Sequence, residues 1–237
     1  MIDFHSHILP GVDDGPQTMG ESLGMLRSSF LQGVDAIVST SHFYANEDYP
    51  EDFLKRRNAA AQQLEDAMLL SVDIYPQVIL GAEVLYFPGI SEAEEIELLR
   101  IGDSRNILIE PPMAPWSEDM LDEIRQLGQN FDLIPIIAHV DRYMTMLQDP
   151  SLLDRVRKRD LVVQVNGSYF LNFQTRETAV RNLKAGKVQL IGSDCHNLDS
   201  RPPNLGLVRK LARTQNAEKE FKQLQQNAAE LLMSRRR

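Results

Sequence analysis

Short apolar runs alternate with amphipathic segments along the whole chain. The runs are Met1–His5, Val34–Ser39, Val78–Gly81, Ile107–Ile109, Leu133–Ala138, Leu161–Val165 and Val188–Gly192. They are rich in Val, Ile and Leu, the pattern of strands buried on both faces. Between them the apolar positions take a helical period. Thr18, with Glu21 three residues on, forms a capping-box pattern and predicts a helix that Gly33 can stop. Further helices are predicted over about Glu51–Leu70, Glu118–Gln129, Ser151–Arg159, Arg176–Ala185 and Asn204–Gln215. A last helix, Ala217–Met233, precedes Ser234-Arg235-Arg236-Arg237. Strands alternating with helices predict an α/β fold with a mostly parallel sheet. Closed, this is a (β/α)7-type barrel; open, it is a doubly wound sheet. In both, function gathers at the carboxyl ends of the strands.

Length and composition narrow the class. The 237 residues suit one large domain spanning 1–237, with no repeat and no interdomain linker. With 25 basic against 34 acidic residues the net charge is −9, which argues against a nucleic-acid partner. The single cysteine, Cys195, cannot form an intramolecular disulfide. No apolar run is long enough to span a bilayer, so no stable membrane insertion is expected. Asp3, His5 and His7 interrupt the place where a signal peptide would carry its apolar region. These features predict a cytoplasmic protein.

The candidate chemistry sits at the strand ends. The five histidines, His5, His7, His42, His139 and His196, all lie at or just past the end of a predicted strand. A lone histidine is more often a satisfied structural residue than a ligand. Five at one edge of one fold are a different matter. In Asp3-Phe4-His5-Ser6-His7 the two histidines share a strand face and can present both imidazoles to one divalent ion. The same spacing puts Asp194 and His196 on one face, with Cys195 on the other. Glu83 and Glu110 each end an apolar run, where an unpaired charge facing a barrel interior is costly. Asp13 and Asp14 sit beside Gly15 and read equally well as turn residues. Arg142 and Arg201 follow candidate ligands closely; each offers a planar fork matched to phosphate oxygens, although a surface ion pair is the commoner use of one arginine.

Together these residues resemble the PHP (polymerase and histidinol phosphatase) superfamily. The resemblance is nearest to the bacterial PHP-type protein-tyrosine phosphatases found with capsule and exopolysaccharide systems. It is carried by Met-Ile-Asp-Phe-His-Ser-His-Ile with Val-Asp-Asp-Gly-Pro, by Ser-Thr-Ser-His at 39–42 and by Gly-Ala-Glu at 81–83. It continues through Ile-Ala-His-Val-Asp-Arg-Tyr at 137–143, Gln-Val-Asn at 164–166 and Gly-Ser-Asp-Cys-His-Asn-Leu-Asp-Ser-Arg-Pro-Pro at 192–203. The resemblance implies a distorted (β/α)7 TIM-like barrel with a C-terminal helix, holding three divalent metals, often manganese or iron. It implies His5, His7, Glu83 and Asp194 around one ion; Glu83, Glu110 and His139 around a second; and Asp14, His42 and His196 around a third. It further implies a phosphotyrosine-bearing partner, the tail of an autophosphorylating bacterial tyrosine kinase. The mixed His and carboxylate donors suit Mn, Fe, Co and Zn alike.

Three divalent ions with Arg142 and Arg201 would outweigh the four carboxylates and make a cationic pocket in an acidic protein. The expected reaction is direct hydrolysis of a phosphomonoester, with both arginines binding the phosphoryl oxygens. Histidinol phosphate or another small phosphomonoester is the alternative substrate. A PHP-type nuclease fits the acidic balance poorly, and a non-enzymatic binding module fits a complete ligand set poorly. A remote alternative is cysteine-dependent chemistry, because Cys195 and Arg201 match a C-x5-R spacing. Against it, Asp194 and Asp199 would repel phosphate and raise the thiol pKa. Trp116, Phe43, Tyr44, Tyr169 and Phe170 could line the mouth, with packing the plainer role.

Overall fold

The computed structural model describes residues 1–235. Strand β1 (Ile2–Ser6) leads through α1 (Met19–Leu31) to β2 (Ala36–Ser39) and β3 (His42–Phe43). Helix α2 (Pro50–Leu70) precedes β4 (Gln77–Leu80) and β5 (Glu83–Leu85). Two 3-10 turns, Ile90–Glu92 and Glu94–Leu99, lead to β6 (Asn106–Glu110), α3 (Glu118–Phe131) and β7 (Ile134–Ile137). Then come α4 (Val140–Met146), α5 (Leu152–Arg157), β8 (Val162–Asn166), α6 (Gly167–Leu171), α7 (Arg176–Lys184) and β9 (Leu190–Gly192). The chain ends in α8 (Leu205–Thr214) and α9 (Glu218–Leu232).

The first helix starts as its sequence predicts. Thr18 accepts from the Glu21 backbone, and the Glu21 side chain returns the bond to Thr18. The short helices α4 and α6 were not expected; each follows a strand at once and is too short to show a helical period.

Every strand pair is parallel, and the sheet curls. It departs from the expected strands in one respect: the second and third runs are matched by β2 and β4, and after a short break each is followed by a strand that was not expected, β3 and β5. The ladder survives the breaks, with Gly81 N–H bonded to the Ser39 carbonyl at 2.8 Å and Glu83 N–H to that of Ser41 at 3.0 Å. Ile101 wedges in beside the break. A Cβ on Gly81 would stand 2.9 Å from its side chain, so only glycine fits there. Glu83 therefore opens a strand of its own instead of closing the one before it.

The free edges β1 and β9 meet at a narrow seam. His7 N–H donates to the Cys195 carbonyl at 2.9 Å, and Asp194 N–H to that of His5 at 2.8 Å. A Cβ on Gly192 would overlap the Cβ of His5, so the seam too depends on glycine. The curled sheet is thus a distorted barrel. Phe4, Val38, Leu108, Ile136, Val162 and Leu190 form its inner cluster, joined by Ala228 of α9. That helix is held to the barrel by Gln225, whose Oε1 accepts from Ile2 N–H at 2.5 Å, and by Asn106, which donates to the Leu231 carbonyl at 2.7 Å. A larger outer cluster fills the space between the strands and the surrounding helices. Of the terminal arginines, Arg235 bridges to Ser104, while Arg236 and Arg237 lie outside the described residues.

Candidate metal centre

All nine residues expected as ligands gather at the carboxyl ends of the strands. Glu83 is the hub. Its Oε2 lies 3.0 Å from His5 Nε2, 3.1 Å from His7 Nε2 and 3.3 Å from His42 Nδ1. Its Oε1 lies 2.7 Å from His139 Nε2. Asp194 Oδ1 stands 3.6 Å from His5 and 3.7 Å from His7. Glu110 lies 3.4 Å from His139 and 3.7 Å from His42. Asp14 lies 3.2 Å from His196 Nε2 and 3.5 Å from His42 Nε2.

Local backbone explains the convergence. The β1–β2 register shifts between Asp3 and Ser6. Ile2 and Phe4 belong to the inner apolar cluster, and past the shift His5 and His7 turn to each other, with their Nε2 atoms 3.2 Å apart. Asp194 and His196 come together by another route than a shared strand face. Strand β9 ends at Gly192, and Asp194 has φ 54°. His139 likewise has φ 32°. Non-glycine residues held there are strained, and such strain collects at functional sites.

The grouping departs from the expectation: Asp194 and His139 join none of the tight sets, and His7 and His42 each join two. Donor atoms within 4.8 Å of one another form three sets: His5, His7 and Glu83; His42, Glu83 and Glu110; and His7, Asp14, His42 and His196. His42 is thus shared, one ring nitrogen toward Glu83 and Glu110 and the other toward Asp14. His7 also stacks on His196, centroids 3.8 Å apart, and reaches the Asp14 set.

Outer partners aim these rings. Asp13 Oδ2 accepts from His7 Nδ1 at 2.7 Å and also from His42 N–H at 3.1 Å. Gln164 Oε1 takes His139 N–H at 2.5 Å and stands 3.4 Å from His5 Nδ1. Asn166 donates to Asp194 at 2.7 Å. Sequence reading missed all three as site residues. Asp13 looked like a turn residue. The Gln-Val-Asn run at 164–166 belongs to the family resemblance, and its period-2 spacing on β8 is the available signal.

Burial would lower the His7 imidazole, but its bonds to Asp13 and Glu83 hold it up at about 10. Burial likewise opposes, and the bonds to Glu110 and Glu83 outweigh it, at His139, near 9. His196 goes the other way, to about 4, through burial and the neighbouring His7 charge. Burial also lowers His42. Burial would raise Glu83 and Asp194, yet the histidines around them keep both below the usual carboxylate range. These shifts favour the neutral imidazole at His42 and His196 and the charged carboxylate at Glu83 and Asp194 beside them. Their buried His42 Nδ1 and His196 Nε2 find no hydrogen-bond partner. Lone pairs aimed at carboxylates with nothing between them are what divalent cations satisfy, so the donor set fits metal ions.

Arg142 and Arg201 flank this cluster. Both donate to Asp194, at 2.7 and 2.8 Å, and both remain part-exposed with further N–H groups at the mouth. Two clefts open from the centre. One, of about 560 Å³, is lined by both arginines with Asn166, Met146 and Leu207. The other, of about 570 Å³, is acidic, with Asp13, Asp14, Glu47 and Asp48. Of the five aromatics considered for the mouth, Phe43, Trp116, Tyr169 and Phe170 are buried. Tyr44 alone of these stands half-exposed, stacked on His42.

The cysteine-dependent alternative fails here. Cys195 is fully buried within the outer apolar cluster, and burial with Asp3 and Asp194 pushes its thiol far up. It has neither access to a substrate nor a thiolate to attack with.

Residues 1–233 match the profile of a family described as capsular polysaccharide synthesis, CpsB/CapC. The chain belongs to the CpsB/CapC family. It is 31% identical to the tyrosine-protein phosphatase CpsB of Streptococcus pneumoniae over 246 residues, covering 94% of each. It is 29% identical to the tyrosine-protein phosphatase YwqE of Bacillus subtilis, over 85% of this chain and 79% of that one. Among solved structures it is similar to one reported for YwqE and CpsB as unique metal-dependent tyrosine phosphatases. There the TM-score is 0.87 at 26% identity, over 100% of this chain and 96% of the other. The PHP-type resemblance read from the motifs agrees with this CpsB/CapC membership.

Proposed function

We propose that this CpsB/CapC chain is a metal-dependent protein-tyrosine phosphatase that uses three divalent ions, Mn²⁺ by preference. The observation that carries the reading is the set of buried, unpartnered histidine nitrogens facing carboxylates, with two arginines at the rim. His5, His7, Asp14, His42, Glu83, Glu110, His139, Asp194 and His196 would hold the ions. When bound, such ions supply Lewis acidity and lower the pKa of water.

The chain's own residues do the rest. Asp13, Gln164 and Asn166 fix the rings and carboxylates in place. Arg142 and Arg201 bind the phosphoryl oxygens with the donors they do not spend on Asp194 and neutralise charge as it builds there. The tyrosyl oxygen leaves as a phenolate, whose pKa of about 10 asks for little protonation. With Cys195 buried away from substrate, the reaction we favour is direct attack of water on phosphorus as the bond to the tyrosyl oxygen breaks, with no covalent enzyme intermediate. The substrate we favour is the phosphotyrosine tail of an autophosphorylating kinase in a capsule system, met in the cytoplasm. Cys195 is a free thiol, and among the described residues no helix is long and apolar enough to cross a membrane.

The test is hydrolysis of a phosphotyrosyl peptide and of histidinol phosphate, side by side, by metal-stripped and Mn²⁺-reconstituted protein. Metal-dependent turnover favouring phosphotyrosine is expected. Preference for histidinol phosphate would keep the centre and change the substrate. Turnover indifferent to metal would overturn the mechanism.

A further inference from the structure

A third cavity, of about 620 Å³, shares no lining residue with the two clefts at the metal centre. It lies between α2, β4, the segment after the second 3-10 turn and the end of α9. Arg57, Arg100 and Arg235 line it against one acid, Asp103. In a chain of net charge −9 that balance is inverted.

Arg57 decides the matter. It is 8% exposed. Arginine is almost never buried to that degree unless paired. No carboxylate of the described residues faces it, its guanidinium lies over the Phe53 ring at 5.8 Å from the centroid, and burial moves its pKa down to about 10. A guanidinium has five N–H donors. Nε and Nη2 share Asn58 Oδ1, at 3.1 and 3.0 Å, and Nη1 donates to the Gly81 carbonyl at 3.0 Å. Two donors are left over. Half-buried Arg100 forms no ion pair or hydrogen bond with the described residues. Pinning Gly81 needs one neutral donor, not a buried cation whose desolvation is costly. An anion in the cavity would complete the pair.

We propose that this cavity is a binding site for a phosphate-class anion, a small phosphorylated molecule gripped by Arg57 and Arg100. Planar guanidinium forks match phosphate oxygens. The volume falls in the range of small-molecule sites and exceeds what a bare phosphate fills. Leu98 and Leu232 provide apolar wall for the carbon part of the ligand.

Crystals of the metal-loaded protein soaked in tungstate, a heavy phosphate analogue, locate the site directly. Anomalous density is expected between Arg57 and Arg100, apart from any at the metal centre. In solution, titration of tungstate is expected to weaken about tenfold or more at this site in Arg100→Gln, one charge-assisted bond being lost. Hydrolysis of p-nitrophenyl phosphate by that variant should stay unchanged. Arg100 is half-exposed, so this variant avoids the folding risk of Arg57→Gln, which serves as the second test where it folds. Density at the metal centre alone overturns the site. So does tungstate affinity unchanged in both variants, the result for an adventitious ion only. Anionic phospholipid vesicles set against soluble pyrophosphate separate the two sources of phosphate. Cosedimentation lost in Arg100→Gln assigns a lipid headgroup, and pyrophosphate binding without cosedimentation assigns a soluble metabolite.

Discussion

Asp13 accepts the Nδ1 hydrogen of His7 at 2.7 Å, which turns His7 Nε2 toward Glu83, 3.1 Å away. The same carboxylate takes the backbone N–H of His42 at 3.1 Å, so one residue sets two imidazoles. Outer partners of this kind orient a ligand and raise its basicity. Asp13→Ala is expected to lose about 10–100-fold in metal affinity or kcat/KM. Metal content after dialysis, read beside kcat/KM, checks it; wild-type values for both would remove Asp13 from the centre.

Glu83 stands within 3.3 Å of four histidines and is almost fully buried. Glu83→Gln keeps its shape and removes the charge. Loss of several kcal/mol of charge stabilisation corresponds to roughly a thousandfold drop in kcat. Steady-state turnover with saturating Mn²⁺ measures it.

Arg142 and Arg201 approach Asp194 from two sides. If they also bind phosphate, Arg142→Ala and Arg201→Ala each lower kcat/KM on a phosphotyrosyl peptide by about 10²–10³-fold. Arg142→Lys should recover little of it, because a point charge does not replace the fork. Unchanged kcat/KM with normal metal content would exclude the role.

Cys195 packs in the outer apolar cluster. Cys195→Ser should retain kcat and its metal dependence, while the buried hydroxyl costs about 1–3 kcal/mol. Thermal melting is expected to fall by roughly 2–4 °C per kcal/mol for a chain of this size. Loss of turnover with normal folding would reopen cysteine chemistry.

Metal ions that bind the native centre and not the unfolded chain stabilise it by mass action. At about a thousandfold excess over Kd, one ion contributes about 4 kcal/mol, or roughly 10 °C in Tm. Scanning calorimetry with and without chelator reads this shift. Equal melting curves would mean that the nine residues hold no ion.

Much of the centre was legible along the chain because it depends on local geometry. Thr18 and Glu21 announce a helix start by side chains that reach their own backbone. The i, i+2 spacing of His5 and His7 marks a pair of imidazoles that meet, although a register shift in β1 is what turns them together, and five histidines at strand ends mark the candidate functional edge. The alternation of runs and helices implied a parallel α/β fold, since buried parallel strands carry no polar face.

What the tertiary structure decided is what distant segments do to each other. Closure of the barrel rests on the meeting of Gly192 with His5, across nearly the whole chain. Ile101 packs so close to Gly81, beside the β4/β5 break, that a Cβ there would stand 2.9 Å from its side chain, a contact that no local pattern encodes. Asp13 became a positioning residue, and Cys195 a core one, only once folding set their neighbours. Arg57 is invisible in a helix sequence rich in charge; its meaning arises when α2 packs and water is excluded around it. Period and capping are short-range properties, written residue by residue. Burial, pairing of charge and the sharing of His42 between two groups depend on which segments meet, and only the packed chain determines that.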